Sequence, residues 1–150
     1  MKNYTSAVPV ERTISRIEYV LANAGAGNII KDYEGGELKA LSFTLCLPGS
    51  AKMVPIRLPA SAGAVEKILL AEVKRPRKET LQRIQQQASR TAWKLMQDWI
   101  EVQVSLIELQ GVEALQVFLP YIWDGRRTYY AALKENGFKM LPQGHKEREG

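Results

Sequence analysis

An α+β fold, ordered α-β-β-β-α with a three-stranded antiparallel sheet and continued by a long helix and a short C-terminal helical hairpin, follows from three observations. Apolar residues recur every three or four positions up to residue 24. The period then falls to two through residue 58, and the stretch from Glu79 to Gln110 contains neither glycine nor proline.

The first helix is placed by Val10, Ile14, Ile17, Leu21 and Ala24, which share one helical face. Gly25 and Gly27 stop it, Pro9 sits in its first turn, and Ser6 is the expected cap. Three strands follow, over Asn28 to Tyr33, Leu38 to Leu47 and Lys52 to Leu58. Glu34-Gly35-Gly36 and Pro48-Gly49-Ser50 suit the turns of antiparallel hairpins. Pro55 cannot donate a ladder hydrogen bond, so the third strand is an edge. In the middle strand Leu41, Phe43, Leu45 and Leu47 share one face; Ala40, Ser42, Thr44 and Cys46 share the other. Helices are expected on the first of these faces.

A second helix starts at Ser61, runs through Val65, Ile68, Leu69 and Val73, and ends near Lys74-Arg75-Pro76-Arg77-Lys78, where the proline marks a hinge. The long helix then occupies Glu79 to Gln110. Its polar stripe is Arg83, Gln87, Arg90, Lys94, Gln97 and Glu101, opposite Leu81, Ala88, Ala92, Leu95, Met96, Trp99 and Leu106. Trp93, Ile100, Val104 and Ile107 widen the apolar arc and are the expected interface of a homo-oligomer, because charge is depleted around them. A short helix over Val112 to Leu119 is broken by Pro120, and a last helix begins near Arg126 and stops at Gly137. Residues 1–75 thus form the α-β-β-β-α unit and 76–141 a helical extension packed on it as one domain. Residues 142–150, polar and charged, are expected to fray as a flexible tail.

Composition narrows the function. The 150 residues are 45% hydrophobic and 25% charged, as in an ordinary globular domain that needs no disulfide or structural metal to hold a core. A single cysteine, Cys46, and no apolar leader or membrane-length run point to a reducing cytoplasm without a membrane partner. Cys46 lies in an apolar strand, where a thiol behaves as a small hydrophobe. The only histidine, His145, falls in the tail, and no Cys/His set or phosphate-binding loop is present. No enzyme, cofactor or metal is therefore expected.

Charge is the stronger signal. Between residues 74 and 94 seven cations, Lys74, Arg75, Arg77, Lys78, Arg83, Arg90 and Lys94, face one carboxylate, Glu79, whereas 95–124 has no Lys or Arg. Arg83, Arg90 and Lys94 lie within about 20° of one line along the helix and span about 16 Å. A row of this kind matches the repeated charges of a phosphate backbone and predicts salt-sensitive binding of nucleic acid, single-stranded DNA in particular, without base readout. Tyr33, Phe43, Trp93, Tyr121, Trp123, Tyr129 and Tyr130 supply the pool of rings for stacking on unpaired bases. The alternative is a protein-interaction module that docks a host protein through the acidic segment 98–124 or the apolar helix shoulder.

Helix, three-strand meander and helix is also the order of elements in double-stranded RNA-binding domains, which residues 8–75 resemble in length and order. Those domains carry a lysine cluster where this chain has Ser61-Ala62-Gly63-Ala64, and a glycine-proline-histidine loop where it has Glu34-Gly35-Gly36. The resemblance therefore carries over no functional residue. Through Arg90-Thr91-Ala92-Trp93-Lys94 and Val117-Phe118-Leu119-Pro120-Tyr121 the chain is similar to small uncharacterised proteins of prophages and other bacterial mobile elements. That similarity implies an accessory of phage DNA replication or recombination, or an inhibitor of a host defence system.

Overall fold

The structure is a computed structural model, and it describes residues 6–144. Of the tail expected over 142–150, the part from residue 145, with His145, lies outside the described residues. The order is α1 (Val10–Asn23), β1 (Gly27–Glu34), β2 (Glu37–Cys46), β3 (Met53–Pro59), α2 (Ala62–Ala71), α3 (Lys78–Gln110), α4 (Ala114–Phe118), a 3-10 turn (Leu119–Tyr121) and α5 (Tyr129–Glu135). The fold is α+β, with one three-stranded antiparallel sheet in the order β1-β2-β3.

Turn chemistry and side-chain period explain most of it. Glu34 pairs with Glu37, leaving Gly35 and Gly36 as a two-residue hairpin loop with φ of 59° and 78°. Consecutive positive φ values suit glycine and match the strand twist. On the helix side of the sheet Leu41 pairs with Leu58, Phe43 with Ile56, and Leu45 with Val54. Register shifts between Gly27 and Ile30 and between Asp32 and Tyr33 break strict alternation in the first hairpin. Leu38 thereby joins Leu41, Phe43 and Leu45 as buried, three positions away rather than an even number.

One core lies between the sheet, α1, α3 and α4. Ile14, Ile17 and Leu21 of α1 meet Leu41, Phe43, Ile56 and Leu58 of the sheet, and Trp93, Ile100 and Val104 of α3 fill the same cluster. The second half of the chain is thus part of the core that buries the first. Phe118 closes one end, edge-to-face with Phe43 at 5.4 Å and with Trp99 at 5.7 Å. A smaller cluster joins Ala62 and Val65 of α2 to Ala88 and Ala92 of α3, where alanines let the two helices approach closely.

Pro55 lies in β3, an edge strand whose outer side receives a short cover. The Trp123 amide donates to the Pro55 carbonyl at 2.9 Å, and Ile122 bridges to Ile56. Arg57 reaches the opposite face of the sheet, pairs with Asp32 at 2.6 Å and lies 4.9 Å from the Trp123 ring centroid.

Several expectations are corrected here. Ser6 does not cap α1; its hydroxyl accepts from the Val8 amide, and Pro9 is the cap position. Cys46 is exposed at the strand end, with Sγ donating to the Ser50 carbonyl at 2.9 Å, since the strand has left the core there. The last helix starts three residues later than the pattern placed it. The Asp124 carboxylate accepts the amides of Arg126 and Arg127 and holds them in a turn, and Thr128 caps the helix at the Ala131 amide.

Candidate nucleic-acid interface

The basic run becomes a connection and a helix start. α2 ends at Ala71 and α3 begins at Lys78, so Lys74, Arg75, Pro76 and Arg77 form the loop between them. Pro76 disfavours an α-helical ψ at Arg75 and lacks the amide a helix would need, so α2 does not run on into α3. Arg75 adopts a left-handed φ of 54°, costly for a residue with a Cβ by about 1–2 kcal/mol. Arg77 is the cap position of α3, with no side-chain cap hydrogen bond. Arg77 and Lys78 therefore sit at the positive end of a 33-residue helix, against its dipole.

Five cations share this region. Lys74, Arg75, Arg77, Lys78 and Arg83 are all exposed, and none of the ion pairs found among the described residues includes them. Their carboxylate neighbours in sequence are Glu72 and Glu79. A shallow groove between the end of α2 and the start of α3 is lined by Glu72, Thr80, Arg83, Gln86, Gln87 and Arg90. A phosphate docked at the start of α3 would meet Arg77 and Lys78 together with first-turn amides that lack a side-chain cap.

The other two cations of the sequence-predicted row are corrected. Arg90 is half-buried and turned inward: its Nε donates to the Ser6 carbonyl at 3.0 Å and Nη2 to Gln87 Oε1 at 2.8 Å. Gln87 Nε2 reaches the same carbonyl at 3.2 Å and Thr91 Oγ1 at 3.0 Å. The stripe that looked solvated thus fastens the segment before α1 to α3. Lys94 is half-buried and paired with Asp98 at 3.2 Å. Farther along, Gln97 and Arg16 of α1 both donate to Glu101. The ridge of seven reduces to a patch of five at one end of α3.

The expected oligomer interface is corrected as well. Trp93 and Ile100 are 0% exposed and Val104 6%, all inside the core, with Ile107 packed against it. Trp93 Nε1 donates to the Leu38 carbonyl at 3.3 Å. Trp93, Ile100 and Val104 are spent on the sheet, which the single chain already supplies, and Ile107 is partly buried against the same cluster. Phe43, too, is buried and serves neither stacking nor docking.

Elsewhere, a cleft of about 230 Å³ between α1, the first hairpin and α3 is lined by Glu11, Lys31, Tyr33, Glu37 and Ser89 among others. Glu37 accepts from Ser89 Oγ at 2.8 Å and Lys39 Nζ at 3.1 Å; the serine hydroxyl, chiefly, holds its carboxyl below the usual value of 4.5. That carboxylate is engaged as an anion and is poorly suited to act as a base. Among the described residues no group of three His, Cys, Asp or Glu side chains could hold a metal ion, and no helix is long and apolar enough to cross a membrane. Comparison with protein families, curated proteins and solved structures returns no match to this chain.

Proposed function

We propose that the protein binds the sugar-phosphate backbone of nucleic acids, without reading base sequence, through Lys74, Arg75, Arg77, Lys78 and Arg83. The observation that carries this reading is the gathering of five exposed cations, outside every ion pair found, around the uncapped start of α3. Two features of that gathering cost stability on their own: the left-handed backbone at Arg75 and the cations placed against the helix dipole. A bound polyanion offsets the second directly. With Trp93 and Phe43 in the core, two rings of the stacking pool are gone, and the reading becomes backbone-led, with duplex as eligible as single-stranded DNA. A place in phage or mobile-element replication or recombination is what the sequence resemblance adds to this proposal.

The test is fluorescence anisotropy with labelled single- and double-stranded DNA and RNA at two salt concentrations. Binding should be salt-sensitive and lost when Arg75, Arg77, Lys78 and Arg83 are each replaced by glutamate, with the melting temperature retained because all four are exposed.

A protein-docking function, such as inhibition of a host defence protein, is favoured by a different observation. Beyond Lys94, α3 is acidic and carries exposed Val102 and Leu109. Co-purification of a host protein that survives nuclease treatment and tolerates the four-glutamate substitution would select this reading.

A further inference from the structure

The cleft between α1, the first hairpin and α3 has a built floor and two chemically different ends. Buried Ile14, Leu38 and Trp93 form the floor, and Tyr33, 58% exposed, stands beside it as a wall. At the far end Lys31 pairs with Glu18 at 3.0 Å, so its charge is answered within the chain. Glu11 lies two turns before Glu18 on α1, and Glu34 three residues beyond Lys31 on β1, which gives the cleft a length of about 10 Å toward the hairpin turn. At that turn end Glu11 and Glu37 line both the cleft and a wider groove of about 360 Å³ bounded by Gln85, Gln86 and Arg90. The two carboxylates therefore flank the opening. Glu11 enters none of the ion pairs found among the described residues. Glu37 takes one donor on each oxygen, Ser89 Oγ at 2.8 Å and Lys39 Nζ at 3.1 Å, and keeps a second lone pair on each. The serine hydroxyl holds its carboxyl below the usual value, so it stands as an anion.

We propose that this cleft binds a small primary amine with an apolar body, the body lying over Ile14 and Leu38 beside Tyr33 and the ammonium donating to Glu11 and Glu37 at the opening. An apolar floor with a few convergent polar groups is the form of a small-molecule site. Size selects the body: a cavity of about 150 Å³ holds a benzene ring, so 230 Å³ takes a ring with a short arm. Charge selects the head. A divalent cation needs six to eight oxygens, and among the described residues no group of three ligating side chains occurs. A lysine side chain of another protein would enter tip first and carry its ammonium past the two carboxylates toward Lys31. A free amine with its charge at the opening meets the carboxylates and leaves the Lys31–Glu18 pair intact. This inference stands independently of nucleic-acid binding.

The test is an amide chemical-shift titration of the isotope-labelled full chain with phenethylamine, with phenethyl alcohol and hydrocinnamate as neutral and anionic probes of similar shape. The amine should give saturable shifts at Gly36, Glu37 and Ser89, and the alcohol should bind at least about 10-fold more weakly, as loss of a charge-assisted hydrogen bond requires. The anion should not bind. Acetyl-lysine amide, which presents the ammonium of a protein lysine, should also be at least about 10-fold weaker than phenethylamine. Glu11→Gln should weaken amine binding at least about 5-fold with melting unchanged, because Glu11 is exposed and outside every ion pair found. Glu37→Gln should weaken it to a similar extent, with the amide spectrum confirming the fold. No saturable shift by about 10 mM amine, an alcohol or lysine amide that binds as well, shifts centred on the acidic end of α3, or binding unaltered by Glu11→Gln would each overturn the proposal.

Discussion

The slope of nucleic-acid affinity against salt counts the cations that touch phosphate, and here the sequence and the structure give different counts. All seven cations between Lys74 and Lys94 acting together on a single strand would set a log–log slope of about −4.9. The five that stay exposed set about −3.5. Between 50 and 200 mM salt these correspond to losses of roughly 900-fold and 130-fold, a difference that anisotropy titrations resolve easily. Two single substitutions sharpen the test. Arg83→Gln should make the slope shallower by about 0.7 and leave stability unchanged, because Arg83 is exposed and outside every ion pair found. Arg90→Gln should leave the slope alone and destabilise the fold by about 1–3 kcal/mol, because its guanidinium serves the Ser6 carbonyl and Gln87. A slope near −4.9 would mean that Arg90 and Lys94 abandon those partners for phosphate. A slope shallower than about −2, or one unmoved by the four-glutamate substitution, would refute phosphate binding at this patch.

Trp93→Ala should cost about 3–5 kcal/mol in urea unfolding, as expected of a core residue with 0% exposure; a cost below about 1 kcal/mol would contradict its burial against Leu38. Glu37 is held below its usual value of 4.5, chiefly by the Ser89 hydroxyl, so the unfolded chain binds the proton more readily and this contribution to stability is lost as pH falls below that value. Ser89→Ala should accordingly flatten the dependence of stability on pH between about 3 and 5, measured by urea denaturation, and an unaltered dependence would remove the hydroxyl as its cause. Thr128→Ala removes the side-chain cap of α5 and should cost about 1 kcal/mol or raise amide exchange in that helix, readable at the Ala131 amide.

How much of this was legible from the sequence differs between the fold and the site. The elements were, because each rests on a local period or a local turn. Val10, Ile14, Ile17 and Leu21 can share a buried face only in a helix, and Gly35-Gly36 supply the positive φ values of a two-residue hairpin loop. The register shifts that bring Leu38 into the core, and the turn at Asp124 that delays α5, depend on single hydrogen-bonding choices that periodicity does not encode.

The candidate site was legible only as a composition. The sequence by itself determined that positive charge gathers between residues 74 and 94 and that α3 is apolar over much of its circumference, since both are properties of residue type and helical angle. Which cations remain available, and which apolar stripe remains uncovered, was decided only by tertiary structure. Arg90 meets a carbonyl 84 residues away, Trp93 meets one 55 residues away, and α2 is long enough to cover Ala88 and Ala92 but not Val102 or Leu109. A charge or a ring is free to act on a partner only when no group of its own chain reaches it first, and distant parts of the chain come within reach only through folding.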